Sequence, residues 1–504
     1  MRFAAVVNLS AFIRFHAARE PGRVALVYQD RRVTYGELDD RIGGLAGWLT
    51  TQGIGPGDVI AAFMKNSAAF IDYAFAASHV GAVFLPINYR LAREEVRYIL
   101  GNAEAKLLLA DDEFRPVVDG LGAVVYLDAA MQSDSRALAG HATIIPPIVT
   151  RLPSDLFRLM YTSGTTDRPK GVMHSYENFY WKCMDHIVAL GLSARDRLLV
   201  VGPLYHVGAC DLPGLAVLWV GGMLYIHRDF DAARALASIE AERLTCAWLA
   251  PVMTGQILSL EGRERFDLSS FKWTIGGGEK TPEARIRAFS TLFKNARYID
   301  GYGLTESCSG DTLMEAGREI DKIGSTGRAL AHVEIEIRDE SGTRLPHGEE
   351  GEICLRGPKI TKGYWKDPEK TNASFFDAWF RTGDVGYLDR DGFLFLTDRK
   401  KDMIISGGEN IASSEIERVI YQMPEVQDVA VVGVPDARWG ERPVAVIVPK
   451  PGATLDYPAL ERHCRASLAG FKVPSALHIR ESLPRNPSGK ILKRVLRAEF
   501  SRKT

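Results

Sequence analysis

Over the first four hundred residues, short apolar runs alternate with stretches of helical spacing. Val24–Tyr28 and Arg32–Thr34 flank a Gln29-Asp30 turn and read as a hairpin. Tyr35–Thr51 shows the helical repeat and stops near Gly53; Val59–Met64 reads as a strand, Ala68–His79 as a helix, Ala82–Pro86 as a strand. Further strands are predicted at Leu107–Ala110, Val124–Leu127, Leu156–Tyr161, Arg197–Val201, Met223–Ile226, Ala247–Leu249 and Phe271–Ile275. Strands alternating with helices imply parallel sheets with helices on their faces. The texture changes after about residue 320. Val333–Arg338, Gly351–Leu355 and Phe393–Leu396 alternate around polar turns, as in a small antiparallel, barrel-like region. Beyond the charged run Asp398–Asp402, the tail reads helix Ser414–Tyr421, strands Val426–Val434 and Val444–Val448, helix Pro458–Ser467 and strand Ala476–Ile479. The predicted fold is α/β: a large N-terminal domain, residues 1–400, and a small mobile α+β domain, residues 401–504, with the boundary at Lys400–Lys401.

The 504 residues are 46% apolar and 25% charged, which excludes a disordered or fibrous chain. Lys plus Arg number 62 against 63 Asp plus Glu, so no global basic field invites nucleic acid or an anionic membrane. A local basic cluster (Arg485, Lys490, Lys493, Arg494, Arg497, Arg502, Lys503) reads as a mostly solvated helix face. The six cysteines form no CxxC pair, so neither a disulfide framework nor a zinc site is expected, and the compartment reads as reducing. The N-terminus reads as a capped amphipathic helix after Ser10 rather than a signal peptide. The longest apolar tract, Leu198–Ile226, is broken by Pro203, Asp211, Pro213 and Gly221-Gly222; a membrane helix needs about 20 uninterrupted apolar residues. It reads as strand, helix and strand, and the chain as cytoplasmic, without an integral membrane segment.

Candidate chemistry begins where strand Leu156–Tyr161 runs into Thr162-Ser163-Gly164-Thr165-Thr166-Asp167-Arg168-Pro169-Lys170-Gly171. A Gly/Ser/Thr turn after a strand offers hydroxyls and backbone N–H groups that converge on an anion, and Lys170 adds positive charge. The Walker A spacing is absent. Further along stand Gly276-Gly277-Gly278-Glu279, Asp300-Gly301-Tyr302-Gly303-Leu304-Thr305-Glu306, Arg381-Thr382-Gly383-Asp384, Ile404-Ile405-Ser406-Gly407-Gly408-Glu409-Asn410 and Asn486-Pro487-Ser488-Gly489-Lys490. Singly, each would be an ordinary turn.

Taken in order, these motifs resemble those of the acyl-adenylate-forming enzymes, the family of acyl-CoA synthetases, peptide-synthetase adenylation domains and beetle luciferases. The resemblance implies ATP, Mg²⁺ and coenzyme A. It implies that Thr162, Ser163, Gly164, Thr165, Thr166 and Lys170 handle the β- and γ-phosphates, with Asp167 standing where a glycine is usual. Gly276, Gly277, Gly278 and Glu279 would border adenine and the acyl pocket. Tyr302 would stack on adenine beside Asp300 and Gly301, Thr305 touch the α-phosphate, and Glu306 bind the metal. Asp384 and Arg399 would hold the ribose. Lys401 would be the hinge. Gly407 and Gly408 would line the pantetheine tunnel in the thioester step, and Lys490 would be catalytic in the adenylation step.

For the acid, Tyr205-His206-Val207-Gly208 resembles a pocket-wall motif of CoA ligases, with His206 where amino-acid-activating relatives carry an acid. Val207, Trp248, Gly276, Gly301, Gly303, Cys308 and Ser309 would line the acyl pocket, suiting an apolar fatty, alicyclic or aryl tail. Trp439, Phe471 and Lys472 match places where relatives touch CoA. The expected activity is an AMP-forming carboxylic acid:CoA ligase; the alternative is acyl transfer to an amine or a carrier protein. Oligomeric state is not legible.

Overall fold

The computed structural model describes residues 7–139, 144–162, 169–277, 281–399, 402–406, 409–436, 439–485 and 491–501. Among them four sheets form. The largest has nine strands, in the order Arg328–Ala329, Thr312–Leu313, Arg297–Tyr302, Trp273–Gly276, Cys246–Trp248, Arg197–Val200, Met223–Ile226, Val24–Tyr28 and Arg31–Thr34. The six from Arg297–Tyr302 to Val24–Tyr28 run parallel; the two edges are antiparallel. A second sheet of six is ordered Val124–Leu127, Leu107–Asp111, Val59–Phe63, Val83–Pro86, Leu156–Thr162 and Lys170–Ser175. It is parallel except for its last pair.

The strands are continuous Val/Ile/Leu/Ala runs because both faces are covered: every residue of Val59–Phe63 is buried. Helix Ala68–His79 is buried throughout, being mostly apolar, with its buried Asp72 paired to Arg41. Its core is shared by residues of both sheets, among them Leu26, Ile60, Leu109 and Leu224. Helix Tyr35–Thr51 matches its prediction to the residue, since Thr34 and Glu37 close a capping box at its start. The tract Leu198–Ile226 folds as strand, two short helices and strand. No helix among the described residues is long and apolar enough to cross a membrane.

A five-stranded antiparallel sheet follows, Glu334–Arg338, Gly351–Arg356, Trp379–Leu388 and Phe375–Phe376, with Leu394–Arg399 on Trp379–Leu388. The last sheet joins Glu409–Ile411, Ile404–Ser406, Gly440–Pro449 and Val426–Asp436, with Leu477–Ile479 parallel to Gly440–Pro449. Alternation along Val426–Asp436 splits the core in two. Val429 and Val431 meet helices Ser413–Ile420 and Tyr457–Arg465, while Ala430 and Val432 meet Leu496 and Phe500 of helix Lys493–Ser501.

Three readings need correction. The first helix, Ser10–Arg19, begins at Ser10, and Asn8 supplies the capping oxygen by accepting the Ser10 N–H at 3.0 Å; the Ser10 hydroxyl donates instead to the Phe75 carbonyl. Among the described residues of the basic tail, three are ion-paired and Arg494 is exposed: Lys493 meets Glu417 at 2.8 Å, Arg497 meets Asp402 at 3.1 Å and Arg485 meets Asp428. Strand Trp379–Leu388 was hidden from pattern reading by Gly383 and a register shift. The six cysteines are all buried and free. The proposed boundary, Lys400–Lys401, lies outside the described residues.

Candidate functional site

Strands Leu156–Thr162 and Lys170–Ser175 pair with Thr162 opposite Lys170, so the mouth of the candidate phosphate loop is fixed; Ser163, Gly164, Thr165 and Thr166 lie outside the described residues. Gly171 is closely packed: a Cβ there would stand 3.0 Å from the Tyr161 ring and 3.2 Å from Trp365 Cβ. The Lys170 amine lies 6.0 Å from the Tyr364 ring centroid, and the Tyr364 hydroxyl donates to Glu306 Oε1 at 2.9 Å. Burial and the neighbouring Lys370 ammonium push the Lys170 amine down. Two ammonium groups and one carboxylate thus gather around Tyr364.

Glu306 sits in the turn Thr305–Ser307 that follows strand Arg297–Tyr302. At the end of that strand, the Tyr302 hydroxyl donates to Asp384 Oδ2 at 2.9 Å. Burial and the Asp384 charge push the phenol well up, so Tyr302 keeps its proton and remains a donor. Asp384 is aimed by the irregularity within its strand: its N–H donates to Thr382 Oγ1 at 3.1 Å, and the Thr382 hydroxyl donates to the Ile353 carbonyl at 2.7 Å. Arg399 stands opposite Asp384 in the antiparallel register. Asp300 is buried and accepts the Gly301 N–H at 3.1 Å. Gly303 must lack a side chain, since a Cβ would meet the Gly310 nitrogen at 2.3 Å. The same holds at Gly276, whose Cβ would meet Tyr298 Oη at 1.9 Å.

His206 Nδ1 accepts the Gly208 N–H at 3.1 Å and starts helix Val207–Asp211. Its ring centroid lies 6.4 Å from that of Trp248, and Val207 is buried beside it. Gly277 approaches the same indole. Cys308 and Ser309 close the turn after Glu306 with left-handed φ values of 55° and 72°. In the C-terminal region, Trp439 and Phe471 are exposed, as a CoA contact requires. Lys472 is already paired with Glu415 at 2.7 Å. Ser406 and Glu409 pair across from each other. Gly278, Glu279, Lys401, Gly407, Gly408 and Lys490 lie outside the described residues.

Sequence reading missed the set that braces this region from behind. Arg158, His174, Lys182 and Asp211 are all buried. Arg158 Nη1 donates to Asp211 Oδ1 at 3.1 Å, and Lys182 Nζ lies 3.5 Å from the same oxygen. Burial alone would raise the Asp211 carboxyl; Arg158 and Lys182 outweigh it and hold it down at about 2. Arg158 Nε also donates to His174 Nδ1 at 3.1 Å, which makes that nitrogen the acceptor and leaves the proton on Nε2. His174 Nε2 then donates to the Thr305 carbonyl at 2.6 Å. Burial, and then the Arg158 charge, push this imidazole down to about 3, so it stays neutral. A buried ion set thereby pins the backbone that carries Thr305 and Glu306. The signal was present: Arg158 and Asp211 are lone charges in apolar segments.

Comparison with known proteins gives a consistent picture. The model for the AMP-binding enzyme family matches residues 13–365, and that for the AMP-binding enzyme C-terminal domain matches residues 415–490. A feruloyl-CoA synthase of Amycolatopsis sp is 37% identical over 487 residues, 96% of this chain and 97% of that one. A long-chain-fatty-acid–CoA ligase of Mycobacterium tuberculosis is 36% identical over 502 residues, 98% of this chain and 99% of its own. Among solved structures, ATP-bound MatB from Rhodopseudomonas palustris superposes with a TM-score of 0.91 at 30% identity, covering 98% of this chain and 99% of that one. The o-succinylbenzoate CoA synthetase of Bacillus subtilis, in complex with its acyl-adenylate intermediate, gives 0.87 at 29% identity, covering 96% and 97%.

Proposed function

Because the chain belongs to the AMP-binding enzyme family, we propose that it is an AMP-forming ligase that joins a carboxylic acid to coenzyme A through an acyl-adenylate. The observation that carries this reading is the span from Tyr302 to Glu306. One short segment holds a donor fixed on Asp384, suited to the nucleoside end, and a carboxylate gathered with Lys170 around Tyr364, suited to the phosphate end.

In the first step an oxygen of the acid carboxylate attacks the α-phosphorus of ATP in line, and pyrophosphate leaves. The substrate supplies the nucleophile, so the protein contributes position and charge. Lys170 and the Thr162–Thr166 loop hold the leaving phosphates. Thr305, with its carbonyl pinned by His174, meets the α-phosphate. Asp384 and Arg399 hold the ribose, and Lys490 stabilises the charge developing between carboxylate and α-phosphate. In the second step the thiol of coenzyme A attacks the acyl carbonyl, the thioester forms and AMP leaves. Residues 401–504 reorient about Lys401 between the steps, replacing Lys490 by the Gly407-Gly408 segment. Trp439, Phe471 and Lys472 meet coenzyme A. Lys472 must exchange its Glu415 partner to do so.

Glu306 suits Mg²⁺, which takes hard oxygen ligands and prefers one or two carboxylates with substrate phosphates to an all-protein cage. Among the described residues no group of three or more candidate ligands gathers. Glu306 would hold the ion, which would supply neutralisation of charge on the phosphates. Tyr364 orients this carboxylate from behind, and loss of such a partner costs about 10–100-fold in metal affinity or activity. Tyr364→Phe is expected to raise the Mg²⁺ concentration for half-maximal ATP–pyrophosphate exchange by at least about tenfold, with the KM for the acid unchanged. A shift in acid KM alone would remove Tyr364 from this role.

The test of the reaction is mass spectrometry on mixtures of enzyme, ATP, Mg²⁺, coenzyme A and one acid from a panel of fatty, alicyclic, benzoic and cinnamic acids. An acyl-CoA with AMP is the expected product. AMP and pyrophosphate without a thioester would move the acceptor to an amine or a carrier protein.

A further inference from the structure

Trp248 ends strand Cys246–Trp248, which lies in the nine-stranded sheet between Arg197–Val200 and Trp273–Gly276. All three run parallel, so their C-terminal ends form one edge, where α/β sheets take their ligands. Glycines stand on both sides of the tryptophan. Gly202 follows one neighbouring strand and Gly277 the other. Such a row would open a deep slot if the residue between were small. Here the indole fills it. A Cβ on Gly202 would lie 2.7 Å from Trp248 Cζ3, and one on Gly208 2.6 Å from Cζ2. Neither distance is open to a real side chain, so the six-membered ring rests directly on two stretches of backbone. On its far side Nε1 approaches Gly277, whose Cβ would be 4.0 Å away. The side chain is 5% exposed. It therefore spans the edge from the His206 turn to the Gly276-Gly277 stretch.

We propose that Trp248 is the specificity-determining residue of this enzyme: its indole plugs the depth of the acyl pocket and restricts the acid to a compact one, a single-ring aryl or short-chain acid, to the exclusion of long alkyl chains. The inference rests on the ligase reading and goes beyond it by naming the substrate class. A planar ring stacks on the indole, whereas an extended chain would have to pass through it. The close contacts with Gly202 and Gly208 leave the indole no retreat on that side, because the atoms behind it are backbone.

The test measures kcat/KM for a series of straight-chain acids and for benzoate, by thioester formation and by pyrophosphate exchange, in the wild type and in Trp248→Ala. The wild type is expected to favour benzoate and short acids. In Trp248→Ala the optimum moves to longer chains. Each methylene newly buried is worth about fourfold, so three or four together give about a hundredfold for a medium-chain acid; benzoate loses activity. Trp248→Phe, which keeps an aromatic filler, should shift the optimum less, and serves if the alanine variant fails to fold. A readout independent of activity accompanies these. Gly208→Ala, whose new Cβ would have only Trp248 ring atoms as its three nearest neighbours, is expected to lower the melting temperature of the wild type and to be tolerated in the Trp248→Ala background, where that clash is gone. A wild type that prefers long chains, or a folded variant with an unchanged optimum, overturns the proposal alone. Neither exchange nor thioester with any acid overturns the ligase reading and takes this inference with it.

Discussion

Asp211→Asn is expected to destabilise the protein by about 3–5 kcal/mol, the cost of leaving buried charge without its counter-ion. The reason is arithmetic as well as geometric. Arg158 and Lys182 are cations, Asp211 is the anion that meets both, and His174 is neutral. Asparagine keeps the shape and loses the charge, so two buried cations then face each other across an amide. The measurement is urea unfolding followed by tryptophan fluorescence. A drop in midpoint at unchanged slope reports stability, since slope follows the surface exposed. The control removes the whole set: Arg158→Met, Lys182→Met and Asp211→Leu together should recover most of the loss, because a matched apolar replacement of buried ions is often neutral or better. A single Asn variant as stable as the wild type would mean that the set carries no strain.

The same residues set the acid limb of the stability profile. The Asp211 carboxyl is held at about 2, below the usual aspartate value near 3.9. Its contribution is therefore fully present above about pH 4 and disappears as pH falls through about 2. His174 acts in the same direction, from a higher pH. Held at about 3, it stays unprotonated in the native state, while the unfolded chain takes up a proton near 6.5. Stability thus starts to fall as pH drops below about 6.5, well before the carboxylates titrate.

What could be read from the sequence and what could not divide along one physical line. Contiguous motifs were legible because their members are brought together by the backbone itself: Asp300 to Glu306 spans one strand end and one turn. Helix Tyr35–Thr51 was legible because its spacing and its Thr34–Glu37 cap agree. The bracing set was not, because its contacts join residues 16, 29 and 53 positions apart, on two strands and two helices, and no periodicity encodes such a meeting. Its trace in the sequence is only local discord, an arginine inside Leu156–Thr162 and an aspartate inside an apolar tract. Trp248 was placed in the pocket by motif position, but its role as a plug depends on how closely Gly202 and Gly208 let it lie. The helix of the basic tail misled for a related reason: its charges meet Asp402 and Glu417, which only the folded C-terminal sheet and its helix bring near.

Lys490→Ala is expected to slow adenylation by about 10²–10³-fold, the usual cost of deleting one preorganised group that stabilises charge in a transition state. Thioester formation from supplied acyl-adenylate should change little. The asymmetry follows from the two reactions sharing one site. Adenylation concentrates charge between the incoming carboxylate and the α-phosphate, where a fixed ammonium is worth most in a water-excluded site. Thiol attack occurs at the acyl carbonyl after pyrophosphate has gone, and in the proposed cycle Lys490 has by then left. Pyrophosphate exchange reads the first half, and AMP release from synthetic acyl-adenylate with coenzyme A reads the second. Equal loss in both would assign Lys490 to folding or to nucleotide binding at large. Lys490→Arg separates these further: it keeps the charge but replaces a compact ammonium by a planar fork. Substantial loss in exchange with unchanged thioester rate would then show that position, not charge alone, makes the residue catalytic.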